Sequence, residues 1–165
     1  MSAILNRDMA VNAVRIAGMA FRGMKHENFL NRNALHIVVL DPSKYFGSCG
    51  FFEQAILYEE SFGAPREEWE RPFDEFARAK AMLSWRTGMD THLVQQRFPH
   101  LYNEGDITFG GGVYRDGIVV GVSGVQWFFD QMFAELTVSA CKALSIQRMI
   151  DVLASASPYI KQSSI

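Results

Sequence analysis

The stretch from Ile107 to Ala140, ITFGGGVYRDGIVVGVSGVQWFFDQMFAELTVSA, decides the fold. It reads as strand, tight turn, strand, glycine turn and helix. Val113 and Tyr114 lead to Arg115, and Asp116-Gly117 is a dipeptide suited to the positive φ angles of a two-residue hairpin. Ile118-Val119-Val120 forms the returning strand. At Gly121-Val122-Ser123-Gly124 that strand bends towards a helix, and glycine lets a backbone turn sharply beside another group. The first N–H groups of such a helix have no intrahelical partner and can hold a carboxylate or other anion. Ser123 is the expected N-cap.

Outward from this stretch, the chain alternates helices and strands. The polar residues Asp8, Asn12, Arg15 and Arg22 fall on one helical stripe and Ala10, Val14, Ala17, Phe21 and Met24 on the other, predicting an amphipathic helix from about Asn6 to Lys25. Leu35 to Leu40 is a continuous apolar run suited to a buried strand, closed by Asp41-Pro42-Ser43. A second strand is expected through Tyr45-Phe46 and Phe51-Phe52. Residues 59–75 carry seven acids and read as a solvated loop with a short helical turn. A helix from Pro72 towards Leu93, ended or broken by Gly88, precedes a connection over 94–106. The last helix runs from Val125 or Gln126 towards Leu153 with a break near Ser145, and a polar tail starts at about residue 156. This order favours an α+β fold, an antiparallel sheet with helices packed against it, in a single domain over 1–165.

Composition narrows the function classes. The chain has 165 residues, 48% of them hydrophobic and 21% charged, which is ordinary for a globular protein. A net charge of -2 with scattered basic residues gives no footprint for nucleic acid. No apolar run is long enough for a membrane span, and no signal-peptide pattern is present. Cys49 and Cys141 form no metal or disulfide pattern, which suits a reduced cytoplasmic setting.

Nucleotide binding and serine-elbow chemistry both fail on spacing. Gly110-Gly111-Gly112 precedes a strand rather than opening a helix, and Ser123 lacks the GxSxG frame. The four histidines share no zinc spacing, although a single imidazole suffices as an axial haem ligand. Trp127-Phe128-Phe129 beside the glycine turn is able to line a pocket for a flat ligand.

The segment GGGVYRDGIVVGVSGVQWFFDQMFA resembles the signature of the GlcG/HbpS family, the haem-binding-protein-like domain also found at the PduO C-terminus. Gly111, Gly112, Gly117, Gly121, Val122, Ser123, Gly124, Asp130 and Ala134 fall on that pattern. Val38-Val39-Leu40-Asp41 is similar to the family's V-V-D strand end, and Ala77 to Ala81 to its A-x-x-K-A helix. The resemblance implies a profilin-like fold with a five-stranded antiparallel sheet flanked by helices, with a diverged insertion at about 48–72. It implies an oligomer, cytoplasmic or secreted, encoded among catabolic or cofactor genes and binding a small molecule such as haem or another planar anion; with the reduced setting suited to the cysteines, a cytoplasmic homo-oligomer is expected.

On this reading Gly111, Gly112, Tyr114, Ser123, Gly124, Lys80 and Trp127 are the ligand-binding candidates. No metal site is expected, His26 or His36 serving as an axial ligand only if haem is bound. A second reading is an enzyme acting on a small hydroxy- or oxo-acid, with Asp41, Lys80 or Asp130 as acid–base candidates. A third is an assembly partner using the apolar faces of the first and last helices.

Overall fold

The computed structural model describes residues 2–155 and 157–160, so that residues 156 and 161–165 of the expected polar tail lie outside the described residues. Helix α1 spans Arg7–His26, and the Asn6 side chain caps it by accepting the Met9 N–H at 3.1 Å. Strand β1 spans Ala34–Leu40, and all seven of its residues are buried, as an apolar run with cover on both faces requires. Strand β2 spans Ile56–Gly63, and helix α2 runs Phe73–Thr87. Gly88 ends α2 in a left-handed conformation (φ 68°), its N–H donating to Ser84 O.

A short helix α3, Thr91–Arg97, spans the end of the expected helix and the start of the expected connection. The hairpin of β3 (Gly112–Arg115) and β4 (Ile118–Ser123) turns on Asp116 and Gly117, both at positive φ as that dipeptide predicts. Helix α4 spans Trp127–Ala154. It is not broken near Ser145: the helix runs through, and the Ser145 hydroxyl bonds back to Cys141 O at 2.7 Å.

The four strands order as β2-β1-β4-β3, each pair antiparallel. Among the described residues the sheet therefore has four strands, not five. The second strand lies about ten residues later than expected. Phe51 and Phe52 sit at a 3-10 turn over Phe52–Ala55, and Gly47 at φ 90° interrupts the chain before it. The first residues of the acidic run, 59–63, belong to β2 instead of a loop, whereas Arg66–Glu68 form the expected short helical turn. The charges on β2 are tolerated because an edge strand keeps one side open to water and because Glu59 finds Arg78 on α2.

Helices α1 and α4 pack on one face over Leu35, Ile37, Val39, Val120 and Val122. Helix α2 covers the other face, with Ala77 and Ala81 against Val38, Leu40 and Val119. This helix lies very close to the hairpin. A Cβ on Gly121 would overlap Ala77 O, and one on Gly112 would stand 2.5 Å from Lys80 O. Only glycine in the strands permits that approach.

Candidate functional site

Close packing of α2 brings Lys80 across the end of β4, where its stem is wholly buried. Its Nζ donates to Val122 O at 2.9 Å, Ser123 Oγ at 3.2 Å and Asp130 Oδ2 at 3.0 Å. An ammonium has three donors, and all three are engaged inside the protein. Asp130, in the first turn of α4, also accepts the Val125 N–H on Oδ1 at 3.1 Å. Burial pushes the Asp130 carboxyl up to about 6, against the pull of Lys80 and of the Val125 and Gly124 N–H groups, and burial likewise lowers Lys80.

This pair forms the floor of a cleft of about 280 Å³. Ser123, Val125 and Gln126 line it as well, and Phe73, Phe76, Phe109 and Trp127 give it four aromatic rings. Arg32 and Arg71 stand at the margin, so three cationic side chains face the cleft against one carboxylate. Arg32 is paired with Glu70 at 3.2 Å and lies over the Phe73 ring at 5.7 Å. Arg71 is exposed and, among the described residues, has no ion-pair partner. Trp127 stacks on His92 with ring centroids 6.2 Å apart. Gly110 passes under the indole, where a Cβ would come within 2.6 Å of the ring. His92 Nδ1 is buried without a partner among the described residues.

The structure brings together Lys80, Ser123, Trp127 and Asp130 of the residues singled out by sequence. Ser123 is not the helix N-cap: α4 starts three residues beyond Gly124, Gln126 holds the cap position, and the Ser123 hydroxyl serves Lys80 instead. Gly111, Gly112, Gly124 and Tyr114 lie outside the cleft lining. Gly112 donates its N–H to Thr91 Oγ1 at 2.9 Å, Gly124 is pressed on Ala34, and Tyr114 packs beside Val119 and Ala81.

Asp41 closes the opposite end of β1, about 17 Å along the strand from His36 at the Ser123 level. It accepts both the backbone N–H and the hydroxyl of Ser43, and although burial opposes ionisation, those bonds hold its carboxyl below the usual range. His26 is at the exposed end of α1, 85% accessible and beside Glu27. His36 has both ring nitrogens engaged, by Ser61 and Glu59. Among the described residues no group of three metal-ligating side chains converges.

Arg32, Arg71, Phe73, Phe76 and Phe109 were not legible as site residues. They come from separate segments whose meeting depends on how α2 docks, and no local motif marks them.

No family model matches the chain, and no curated protein matches it in sequence. Solved structures do match. Klebsiella pneumoniae protein ORFY, of family model DUF336, superposes with a TM-score of 0.56 at 19% identity, over 81% of this chain and 88% of that one. The PduOC:haem complex superposes with a TM-score of 0.52 at 18% identity, over 79% of this chain and 91% of that one. The fold is therefore shared with these proteins, as the GVSG-centred resemblance implied.

Proposed function

We propose that the chain is a GlcG/HbpS-like, profilin-like accessory domain that binds a small, flat, anionic ligand in the cleft between α2 and the start of α4. The observation that carries this reading is the combination of Arg32 and Arg71 at the margin with four aromatic rings along the walls. Guanidinium groups meet a carboxylate through two parallel hydrogen bonds, and aromatic walls suit a ring system. Lys80 has no donor left for the ligand, so Arg71 is the group that meets its charge, while Lys80 and Asp130 hold the floor in place. The setting is a cytoplasmic homo-oligomer encoded among catabolic genes, a reading supported by the family resemblance together with the two unpaired cysteines. No helix among the described residues is long and apolar enough to cross a membrane.

Haem is the ligand of the PduOC neighbour. Haem iron is held by His, Cys, Met or Tyr side chains, and the cleft lining contains none of them. His36 is engaged at both nitrogens, and His26 lies at the exposed end of α1. Neither expected axial histidine fits a haem held in this cleft. A carboxylate-bearing ring small enough for about 280 Å³ fits the lining better.

Calorimetric titration with a panel of aromatic monocarboxylates tests the reading. The expected result is saturable binding by at least one member, weakened at least tenfold in Arg71→Ala, or about 1.4 kcal/mol. Failure of every member to bind, or unchanged affinity in Arg71→Ala, overturns it. A haemin Soret shift that disappears in His36→Ala replaces it with an iron-centred reading.

A further inference from the structure

Strand β2 carries a chain of polar side chains that the cleft does not use. Ser61 stands opposite His36 in the β1–β2 register, and its Oγ lies 2.7 Å from His36 Nδ1. His36 Nε2 is 3.1 Å from Glu59 Oε2. Arg78 reaches over from α2 and clamps Glu59, with Nε 2.9 Å from Oε2 and Nη2 2.5 Å from Oε1. Three elements thus contribute one line from Arg78 through Glu59 and His36 to Ser61. His36 is 6% exposed, whereas Ser61, at the end of the line, is open to solvent.

Proton positions along that line follow from the partners. Although burial opposes it, Arg78 and His36 hold Glu59 below the usual carboxylate range, so at neutral pH it only accepts. Nε2 therefore carries the imidazole hydrogen. Burial lowers His36 against the opposing pull of Glu59, so the ring is neutral and has a single N–H. Nδ1 is then a bare acceptor, and the Ser61 hydroxyl must donate to it. A serine proton aimed at one imidazole nitrogen, with a carboxylate on the other, is the arrangement that activates a nucleophile.

The backbone contributes a further group. Ala64 N donates to Asn33 O at 2.7 Å, which sets the phase of the ladder: bonded pairs fall at Leu35/Phe62 and Ile37/Glu60. His36/Ser61 is then a non-bonded pair, in which side chains stand closest. Since β2 is the edge strand, the Ser61 N–H turns to its open side, where it is able to face a developing oxyanion.

We propose that Ser61 is a nucleophile for acyl transfer from small, unhindered carboxylic esters, with His36 as its general base and Glu59 and Arg78 as positioning residues. Ser61 Oγ bonds to the ester carbonyl carbon while its proton passes to His36 Nδ1. The C–O bond to the alcohol breaks, and Nδ1 returns the proton to the departing alkoxide. Water then repeats the sequence on the acyl-serine, releasing the acid and restoring the hydroxyl. Ester and water balance the reaction without another reactant.

The full chain treated with a fluorophosphonate should gain one adduct, placed on Ser61 by peptide mass spectrometry. Release of p-nitrophenol from p-nitrophenyl acetate should fall at least tenfold in Ser61→Ala and His36→Gln. Because Ser61→Ala leaves the buried His36 Nδ1 without its donor, the adduct on wild-type Ser61 decides the matter alone if either variant melts early. Glu59→Gln tests positioning: an amide is able to donate to Nε2, and nitrogen NMR should show the His36 hydrogen moving from Nε2 to Nδ1 with loss of labelling. No adduct on Ser61, or wild-type release in Ser61→Ala, overturns the nucleophile. An unchanged His36 tautomer and labelling in Glu59→Gln overturn the positioning role.

Discussion

Lys80 Nζ stands 3.0 Å from Asp130 Oδ2, with the two side chains 2% and 3% exposed. The pair ties the middle of α2 to the first turn of α4 across the end of β4. Removing one partner leaves the other charge buried and unmatched, which typically costs about 3–5 kcal/mol. Lys80→Met and Asp130→Asn should each lose stability on that scale in urea denaturation. The double variant Lys80→Met, Asp130→Leu should lose clearly less than the sum, since no charge remains to be stranded. Additive losses would show that the two side chains act separately.

The same pair sets a pH dependence. Burial raises Asp130 to about 6 from its ordinary 3.8. The folded state then binds the proton more tightly than the unfolded one, so this group's stabilisation is complete below about 3.8 and is lost as pH rises through about 6. Urea midpoints of the wild type relative to Asp130→Asn should therefore decline across this window and level off near neutrality. A relative stability that climbs with pH would mean that the fold holds the Asp130 carboxyl below its ordinary value.

Two glycine substitutions should act in opposite directions. Gly121→Ala places a methyl on Ala77 O and 2.7 Å from Ala81 N, both backbone atoms of α2. Overpacking of this kind costs about 1–3 kcal/mol or more. Gly23→Ala, inside α1 with nothing within 4 Å of the added atom, should gain roughly 0.5–1 kcal/mol from helix propensity. Thermal melts of the two variants check the contrast directly.

Asp90 is 1% exposed and accepts from Tyr114 N at 3.1 Å, Gln131 Nε2 at 3.1 Å and both terminal nitrogens of Arg115, Nη2 at 2.7 Å. Arg115→Ala should destabilise the hairpin by about 2–3 kcal/mol, the scale of a buried charged group losing its partners. Arg115→Lys should recover little of this, because an ammonium does not reproduce the fork. Full recovery by lysine, read from the denaturation midpoint, would mean that charge alone matters at this position.

The hairpin was legible because its signal is local: Asp116-Gly117 suits a two-residue turn, and the apolar run Ile118-Val119-Val120 follows it directly. Strand β2 was not. Glu59 looks solvated until Arg78 and His36 are brought beside it, and those partners lie on other elements of the fold. Lys80 and Asp130 carried no local sign of their pairing; only the family pattern drew attention to both. Ser123 looked like a cap because it precedes a helix, but a buried ammonium competes for its hydroxyl more strongly than a helix end does. Arg71 and Phe109 offered nothing to read, since their neighbours are set by tertiary docking alone.

The close seating of α2 on Gly112 and Gly121 has an evolutionary corollary. A descendant that acquired a side chain at either position would have to lift the helix, and Lys80 with it, away from β4. The base of the cleft is thereby frozen, whereas Arg32, Arg71, Phe109 and Trp127 project from loops and a helix start and are free to drift. Ligand preference is thus inherited separately from architecture. Relatives of this chain can diverge in what they hold without renegotiating how they fold.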